Sequence, residues 1–287
     1  TKAFYRFMDS EKVSHEKLIA AQVIKSKEKL EEHKITLAIQ DSMTISLDRS
    51  YEIEGLYNVG GRKNNSADGI LIHNTISVIP YNNYGIIDGL LHQIIHKRKL
   101  KEERNSDNND SILWTKSIGA VGIAPQKTTV IDVMDRGADM LKVMNSSLEY
   151  NHEFIIRAKH NRCLDGKSND HLFDFAKRLP IAGHTFLDIQ ANKGRKKRTA
   201  KLNVSFSEIS LPKTENKKDN TPMNCSIVHV FETGCADDQE PLEWFILTSL
   251  DVRTFDDALK IVKYYSFRWI IEEYHKCMKT GFRLEQT

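Results

Sequence analysis

The order of short apolar runs and helical segments in the first half of the chain constrains its fold most strongly. The run Ile-Thr-Leu-Ala-Ile-Gln-Asp predicts a strand, and two β-branched segments around Pro-Tyr-Asn-Asn-Tyr-Gly predict a hairpin. In chain order, the predicted elements are a strand ending at Asp41, a hairpin over 70–96, a helix over 111–121, a strand over 130–135 and a helix over 138–148. Strands alternating with helices are typical of a mixed sheet with helices on its faces, so the sequence predicts an α/β fold.

In the second half of the chain, a β-rich pattern replaces the α/β pattern, which then resumes from about residue 244. Short alternating runs follow the second predicted helix, and after them come a strand over 244–249 and a helix from Phe255. We therefore divide the chain into a helical lead-in over 1–30, a first part of the core over 31–161, a β-rich insertion over 162–243 and a last part of the core over 244–287.

Composition excludes several classes of protein. The chain has 287 residues, of which 40% are hydrophobic and 28% charged, as expected for a globular domain. No apolar run reaches the roughly 18 residues of a membrane span, and the first residues lack the apolar centre of a signal peptide. The four cysteines have no CxxC spacing, which predicts free thiols rather than a zinc cluster.

Positive charge is concentrated in one run, although the net charge is only +3. The segment 193–201 carries six cations in nine residues, among them Arg195, Lys196, Lys197 and Arg198. Taken alone, such a run is most often a solvated loop. Beside a site for phosphodiester chemistry, contact with a nucleic-acid backbone becomes the favoured interpretation.

The segment 265–279 predicts a helix with an unusual polar stripe. Its polar side chains recur every three or four residues and so share one face. They are Tyr265, Arg268, Glu272, Lys276 and Lys279. One carboxylate among so many cations is typical of a metal ligand beside a surface that grips phosphate. The cations could instead pair with glutamates of their own helix, and for Lys276 the two interpretations are equally favoured.

The pattern Tyr-x2-Arg-x3-Glu-x6-Lys resembles the YREK signature of bacterial insertion-sequence transposases, in the IS-four group that includes the Tn-five-like enzymes with a DDE triad. Other landmarks of that family occur in the same order: a strand ending in Asp41, a segment Asp135–Asp139, a strand over 154–160 and a segment over 244–249. Gly137 stands where the family's Asp-Arg-Glu-Ala-Asp segment has its glutamate. The resemblance runs from about Lys2 to Gln286.

The resemblance implies a ribonuclease H-like mixed sheet flanked by helices, with the β-rich insertion between the second aspartate and the glutamate. It assigns Asp41, Asp135 and Glu272 as catalytic residues that hold two Mg²⁺ ions, with Mn²⁺ as a substitute. The implied reaction is metal-dependent cleavage and strand transfer in cut-and-paste transposition. The implied partners are double-stranded DNA, both transposon ends and target, and a second copy of the chain in a synaptic dimer. The implied location is the bacterial cytoplasm, on the nucleoid when DNA is bound.

The resemblance also implies DNA contacts outside the triad. Trp244 matches a tryptophan that stacks on a base flipped out near the cleaved end, although a core strand residue is the ordinary reading. Arg157 and Lys159 lie on an apolar strand, where two cations suggest an anionic partner. Tyr265 is either a core aromatic with a hydrogen-bonded hydroxyl or a phosphate contact, and the second is favoured. The stripe cations Arg268, Lys276 and Lys279 are assigned to phosphates.

Some neighbouring residues could be confused with this site. Asp132 lies within a predicted strand, whereas Asp139 is favoured as a capping or supporting residue. His275 is favoured as a neighbour that tunes the site, and Glu273, about 100° around the helix from Glu272, as solvated or salt-bridged. For Trp114 and Trp269, core packing is the default prediction.

Two rival functions remain at the level of sequence. One is a ribonuclease H-like nuclease that hydrolyses DNA without joining strands. The other is an inactive DNA-binding relic or inhibitor, because the family's N-terminal recognition domain and C-terminal dimerisation region are not evident in this sequence. Without those regions, the chain is expected to bind DNA ends weakly and to dimerise poorly, and the sequence does not specify whether it is active alone. The recognised end sequence and the target preference are not specified by the sequence.

Overall fold

The computed structural model describes residues 2–47, 57–58, 68–96, 111–165, 167–189, 197–212, 222–235 and 241–281. Within these residues the protein has a ten-stranded mixed sheet flanked by helices, which confirms the predicted α/β class. Arg195 and Lys196 of the basic run lie outside the described residues. No helix in the described ranges is long and apolar enough to cross a membrane.

The elements follow the predicted order along the chain. The helices are α1 (Lys2–Met8), α2 (His15–Glu28), α3 (Ile112–Val121), α4 (Leu141–Glu149), α5 (Leu172–Lys177), α6 (Phe255–Ser266) and α7 (Trp269–Lys276). The strands are β1 (Ile35–Leu47), β2 (Tyr57–Asn58), β3 (Asp68–Tyr81), β4 (Tyr84–His96), β5 (Thr129–Met134), β6 (Glu153–Arg157), β7 (Cys163–Leu164), β8 (Lys167–His171), β9 (Gly183–Ile189), β10 (Arg198–Leu211), β11 (Met223–Glu232) and β12 (Glu243–Thr248). Single turns of other helix types cover Arg136–Ala138 and Cys277–Gly281.

The main sheet has a parallel centre and antiparallel flanks. Its strand order is β2-β3-β1-β5-β6-β12-β11-β10-β9, with β4 paired to β3. β1, β5 and β6 run parallel, whereas β3 with β4 and the strands from β12 to β9 pair antiparallel. The predicted insertion is β-rich, as expected, and β9–β11 extend the same sheet through β12. The small pair β7–β8 forms a second sheet.

Each face of the sheet is covered by its own apolar core. On one face, Leu37, Ile39 and Val133 pack with buried side chains of α6 and α7 such as Tyr265 and Ile271. On the other face, side chains of α3 and α4 pack onto β5 and β6. Because the parallel strands are buried on both faces, their sequences read as nearly continuous apolar runs. This burial on both faces explains why the central strands were predictable.

Two expected boundaries are wrong. β1 does not end at Asp41 but continues to Leu47, because β3 pairs with it as far as Asp68. The second predicted helix begins at Leu141 rather than at residue 138, because Asp135 caps a separate 3₁₀ turn through a hydrogen bond from Gly137 N. The hairpin and the helix after Ser111 lie where they were predicted.

Candidate active site

Asp41 and Asp135 approach each other at the end of β5. The last matched pair of the parallel strands β1 and β5 is Ile39 with Val133. Extending this register by two residues brings Asp41 level with Asp135 on the same face of the sheet, because side chains alternate along a strand. β5 has ended by this point while β1 continues, so the two carboxylates lie where the sheet opens.

Arg268 joins two of the three predicted carboxylates. Its Nη1 lies 3.2 Å from Oδ2 of Asp41, and its Nη2 donates to Oε1 of Glu272. Burial alone would lower the pKa of Arg268, but the neighbouring phenol and two carboxylates raise it above its ordinary value. The guanidinium is therefore a permanent cation between Asp41 and Glu272.

Asp41 is the titratable group most perturbed by this arrangement. Burial raises the pKa of Asp41 to about 6, and the guanidinium of Arg268 only partly opposes the rise. The carboxylates of Asp135 and Glu272 add to the rise, so both lie close enough to Asp41 to act on its charge. A carboxyl group that is costly to ionise beside two others is typical of a cation or proton-transfer site.

The helix that carries the polar stripe is interrupted, contrary to the prediction of a single helix over 265–279. α6 ends at Ser266 and α7 begins at Trp269. Between them, Phe267 and Arg268 donate to carbonyls three residues back, and Ser266 Oγ donates to the Lys263 carbonyl. A serine that bonds the preceding turn competes with the regular helical pattern, which accounts for the tightened turn.

Tyr265 and Trp244 form the apolar wall behind Arg268. Tyr265 is buried, and its ring meets that of Trp244 edge to face at 5.1 Å between centroids. Burial raises the pKa of the Tyr265 phenol, and the nearby guanidinium groups of Arg268 and Arg157 oppose that rise. The packing role weighed for Tyr265 is thus observed, and its contact with a DNA phosphate stays a prediction. Trp244 is partly buried in the same core, and its stacking on a base also stays a prediction.

Arg157 and Lys159 leave β6 in different environments. Arg157 is half-buried, and its Nη2 donates to the Glu243 carbonyl at 2.8 Å. Lys159 has an exposed side chain, while its backbone N–H donates to Asp139. Both residues line a cavity of about 670 Å³, together with Arg136 and a set of phenylalanines. The unexpected cations on this apolar strand therefore face a polar opening rather than the core.

Two acidic residues that could be confused with the site have structural roles. Asp132 is fully buried on the opposite face of β5, where His152 Nδ1 lies 3.0 Å from its Oδ2 and Gln40 Nε2 donates to its Oδ1. Asp139 is also buried and accepts the backbone N–H groups of Lys159 and His160. Asp139 therefore supports the segment after β6, as predicted.

The remaining stripe cations, Lys276 and Lys279, lie at the end of α7 and on the turn that follows it. Lys276 is exposed and lies 3.6 Å from Glu273, so the pairing within its own helix is the interaction observed. Lys279 is half-buried on the turn after α7. Contacts of both lysines with DNA phosphates stay predictions.

Two adjacent residues of the basic run, Lys197 and Arg198, lie in different environments. Lys197 is exposed, just before β10. Arg198 is the first residue of β10, and its guanidinium makes a two-pronged contact with Glu232, whose side chain is only 3% exposed. In this structure Arg198 is bound to a protein carboxylate, and its predicted contact with DNA stays a prediction.

The two unassigned tryptophans differ, and one prediction about them is wrong. Trp114 is buried and packs edge to face on His73, as the default predicted. Trp269 is 48% exposed. With about 100° of rotation per residue, it faces away from Phe267 and Ile271, which occupy the buried side.

The sequence alone assigned no role to Asn74 of β3, which contacts α7, or to Gln93 of β4, which contacts Asn74. Asn74 lies opposite Asp41 in the β1–β3 register. It hydrogen-bonds to His275, the residue predicted to tune the site. In the sequence, both are amide residues within strands rich in β-branched residues. A buried polar side chain in such a strand needs a hydrogen-bond partner, and this is the feature that could have indicated their role.

The family stays an inference from motif residues. No protein-family model matches the sequence. Among the residues that the structure describes, no group of three or more His, Cys, Asp or Glu side chains is arranged to hold a metal ion. Arg268 occupies the position between Asp41 and Glu272 that such a cation would need, so the present arrangement is one in which protein supplies the positive charge.

Proposed function

We propose that the chain is the catalytic core of a cut-and-paste DNA transposase of the Tn-five-like group. The observation that carries the proposal is the contact of Arg268 with Asp41 and Glu272, with Asp135 close enough to Asp41 to raise its pKa, so that three distant parts of the sequence contribute to one site. These are the acidic residues that the resemblance selects. Other aspartates near them in sequence, such as Asp132, are turned to the opposite face or bound elsewhere.

The order of strands and helices along the chain also supports the proposal. Strand β1, the β3–β4 hairpin, α3, β5 and α4 follow the order expected of a ribonuclease H-like core. Asp135 lies directly after the last residue of β5, Asp41 lies within β1 just beyond its pairing with β5, and Glu272 lies on α7. Function on such a fold must be argued from the site, since unrelated activities share folds.

The donor set fits Mg²⁺, with Mn²⁺ as a substitute. Asp41, Asp135 and Glu272 would hold the ions, because oxygen donors are preferred by these cations. Burial raises the pKa of Asp41, repulsion from the other two carboxylates adds to the rise, and bound divalent cations would relieve that repulsion. When bound, such ions polarise phosphoryl oxygens and favour the ionised form of an attacking hydroxyl.

The chain's own residues supply phosphate binding and orientation. Arg268 presents a planar guanidinium that matches a phosphate as well as a carboxylate. Tyr265, which is buried beside it, favours the charged form of this guanidinium. Lys159, exposed at the adjacent opening, adds positive charge along the path that a DNA backbone would take.

A strand-transfer assay tests the proposal and separates it from both rivals. Duplexes cut from the DNA that flanks the reading frame, with a free 3′-hydroxyl, are incubated with target plasmid and Mg²⁺ or Mn²⁺. Joined products support a transposase. Hydrolysis without joining supports a nuclease, and binding without either reaction supports a DNA-binding relic.

Substitutions tie any activity to the proposed residues. Asp41→Asn, Asp135→Asn and Glu272→Gln are expected to abolish cleavage while leaving DNA affinity within a few-fold of wild type. Glu273→Gln is the matched control, because Glu273 is the adjacent glutamate, is exposed and pairs with Lys276 of its own helix. Equal activity in Glu272→Gln and Glu273→Gln would refute the assignment.

Assembly as a synaptic dimer belongs to the same proposal. A dimer would form only on paired DNA ends, so mass measurements with and without end duplexes test it. Binding by the chain alone is expected to weaken steeply with salt, because contacts with phosphates release counterions.

A further inference from the structure

A buried chain of hydrogen bonds connects the sheet to α7. Gln93 Nε2 donates to Asn74 Oδ1 at 2.6 Å, and Asn74 Nδ2 lies 2.9 Å from His275 Nε2. Asn74 is fully buried and His275 is 7% exposed. Since the Asn74 amide nitrogen can only donate, His275 Nε2 must accept, which places the proton of a neutral imidazole on Nδ1.

This chain links the strands beside Asp41 to the helix of Glu272. Asn74 is the cross-strand partner of Asp41, so the two side chains lie on the same face of the sheet. His275 follows Glu272 by three residues, which is nearly one helical turn. The Asn74–His275 hydrogen bond spans 201 residues of sequence and joins the two parts of the candidate site.

Polar contacts hold α7 on the sheet at both ends, between Arg268 and Asp41 before its first residue and between His275 and Asn74 near its last. The helix has only eight residues, and tight turns precede it. Its apolar contacts, such as that of Ile271, hold it against the sheet but are not directional. A hydrogen bond inside the protein is directional, and its loss would leave a buried amide group without a partner.

We infer that His275 is a positioning residue, held by Asn74 and Gln93, which sets the place of α7 on the sheet and so the place of Glu272 beside Asp41. His275 acts through the helix and does not touch the reacting groups. The consequence for catalysis rests on the proposed function. The consequence for the position of α7 does not.

Hydrogen–deuterium exchange tests the position of α7 without reference to activity. His275→Leu removes the acceptor, whereas His275→Gln retains an acceptor oxygen near the place of Nε2. We expect exchange of residues 269–276 to rise about tenfold or more in His275→Leu and to stay near wild type in His275→Gln, after correction for global stability measured on β1. If His275→Leu does not fold, His275→Asn, whose side chain is too short to reach Asn74, takes its place.

His184→Leu is the control for loss of a histidine–asparagine hydrogen bond. His184 Nδ1 lies 2.8 Å from Asn203 Oδ1, between β9 and β10 and away from α7. Its loss should leave exchange of 269–276 unchanged. Unchanged exchange in His275→Leu, or an equal rise in His275→Leu and His275→Gln, would overturn the inference.

Cleavage kinetics then separate this inference from the proposed function. We expect His275→Leu to lower kcat about tenfold or more with KM for end duplexes within about twofold, and His275→Gln to restore kcat. If wild type and Glu272→Gln show the same cleavage, the proposed function fails and the exchange data still decide whether His275 positions α7. If cleavage depends on Glu272 but not on His275, the inference fails and the proposed function stands.

Discussion

The guanidinium of Arg268 contacts the carboxylate of Asp41, with 3.2 Å between Nη1 and Oδ2, although 227 residues separate them in the sequence. The same guanidinium reaches Glu272. A cation of the protein therefore neutralises the acidic groups that are proposed to hold metal ions. We therefore predict that Arg268 and a divalent cation compete for these carboxylates when no DNA is bound.

Removing this competitor should strengthen metal binding. Arg268→Gln is expected to bind Mn²⁺ about tenfold more tightly than wild type in the absence of DNA, because charges about 4 Å apart near a protein surface interact by a few kcal/mol. Calorimetric titration with Mn²⁺ measures the change. Arg253→Gln is the control, because Arg253 forms an exposed ion pair with Asp251. Unchanged or weaker Mn²⁺ binding by Arg268→Gln would contradict the competition.

Asp41 should make stability depend on pH in the absence of metal. Its folded pKa, about 6, is higher than the ordinary 3.8, so the folded state holds this proton more tightly than the unfolded state does. Stability is therefore fully present below pH about 4 and is lost as pH rises through about 6. Relative to Asp41→Asn, wild type should lose about 3 kcal/mol of unfolding free energy across this window.

Urea unfolding in EDTA at pH 4.0 to 8.0 (about half-unit steps suffice) measures this difference. Asp251→Asn, at an exposed aspartate, should show no such window. If the free energies of unfolding of wild type and Asp41→Asn differ by the same amount at every pH, folding does not raise the pKa of Asp41.

The buried pair of His152 and Asp132 should produce a second pH dependence. His152 Nε2 lies 2.9 Å from the Gly122 carbonyl, and Nδ1 faces Asp132, so both ring nitrogens meet acceptors. Burial lowers the pKa of His152, but the charge and hydrogen bond of Asp132 outweigh it, and the pKa is raised overall. Stability from this pair is thus full below pH about 6.5 and is lost as pH rises through the folded pKa.

Breaking this pair should cost about 3–5 kcal/mol of unfolding free energy near pH 6, because an unpaired charge would remain buried. His152→Leu tests the cost by urea unfolding, and the difference from wild type should shrink toward pH 9. His160→Gln, at an exposed histidine, is the control. A difference that grows with pH would contradict the charged pair.

Gly137 should resist the glutamate found in the resembling family. A Cβ at this position would lie 3.0 Å from Asp135 Oδ1 and 3.3 Å from Trp114 Cζ2. Gly137→Ala is therefore expected to cost about 1–2 kcal/mol by crowding and to displace the Asp135 carboxylate. Thermal unfolding and Mn²⁺ titration measure the two effects. Gly281→Ala, whose nearest contact would be an ordinary 3.4 Å, is the control.

Substitutions of the adjacent residues Lys197 and Arg198 should have different effects on stability and on DNA binding. Arg198→Gln removes the partner of a buried carboxylate and should cost about 3 kcal/mol of unfolding free energy. Lys197→Gln should leave stability unchanged and reduce the salt dependence of DNA binding by about one charge. Binding titrations at several salt concentrations, with urea unfolding, separate the two. Equal losses of stability would show that Lys197 is also structural.

Local pattern predicted the central strands and the type of most elements, but not the extent of strands or helices. β1 passes Asp41 because β3, paired to it along the whole length, holds it extended. The helix of the polar stripe breaks at Phe267 and Arg268 because backbone and serine hydrogen bonds tighten the turn there. The length of β1 and the break between α6 and α7 both depend on hydrogen-bond partners outside the segment from which each was predicted.

The sequence by itself determined the α/β alternation, the free thiols and the identity of the acidic and basic residues worth testing. It did so because burial of one or both faces of a strand or helix imposes a periodic pattern of apolar residues, and the sequence shows that pattern directly. Only the tertiary structure decided that Arg268 contacts Asp41 and Glu272, that Asp132 faces His152, and that Asn74 binds His275. Such pairings depend on sheet register and helix placement, which arise from contacts between distant segments and leave no periodic trace in the sequence.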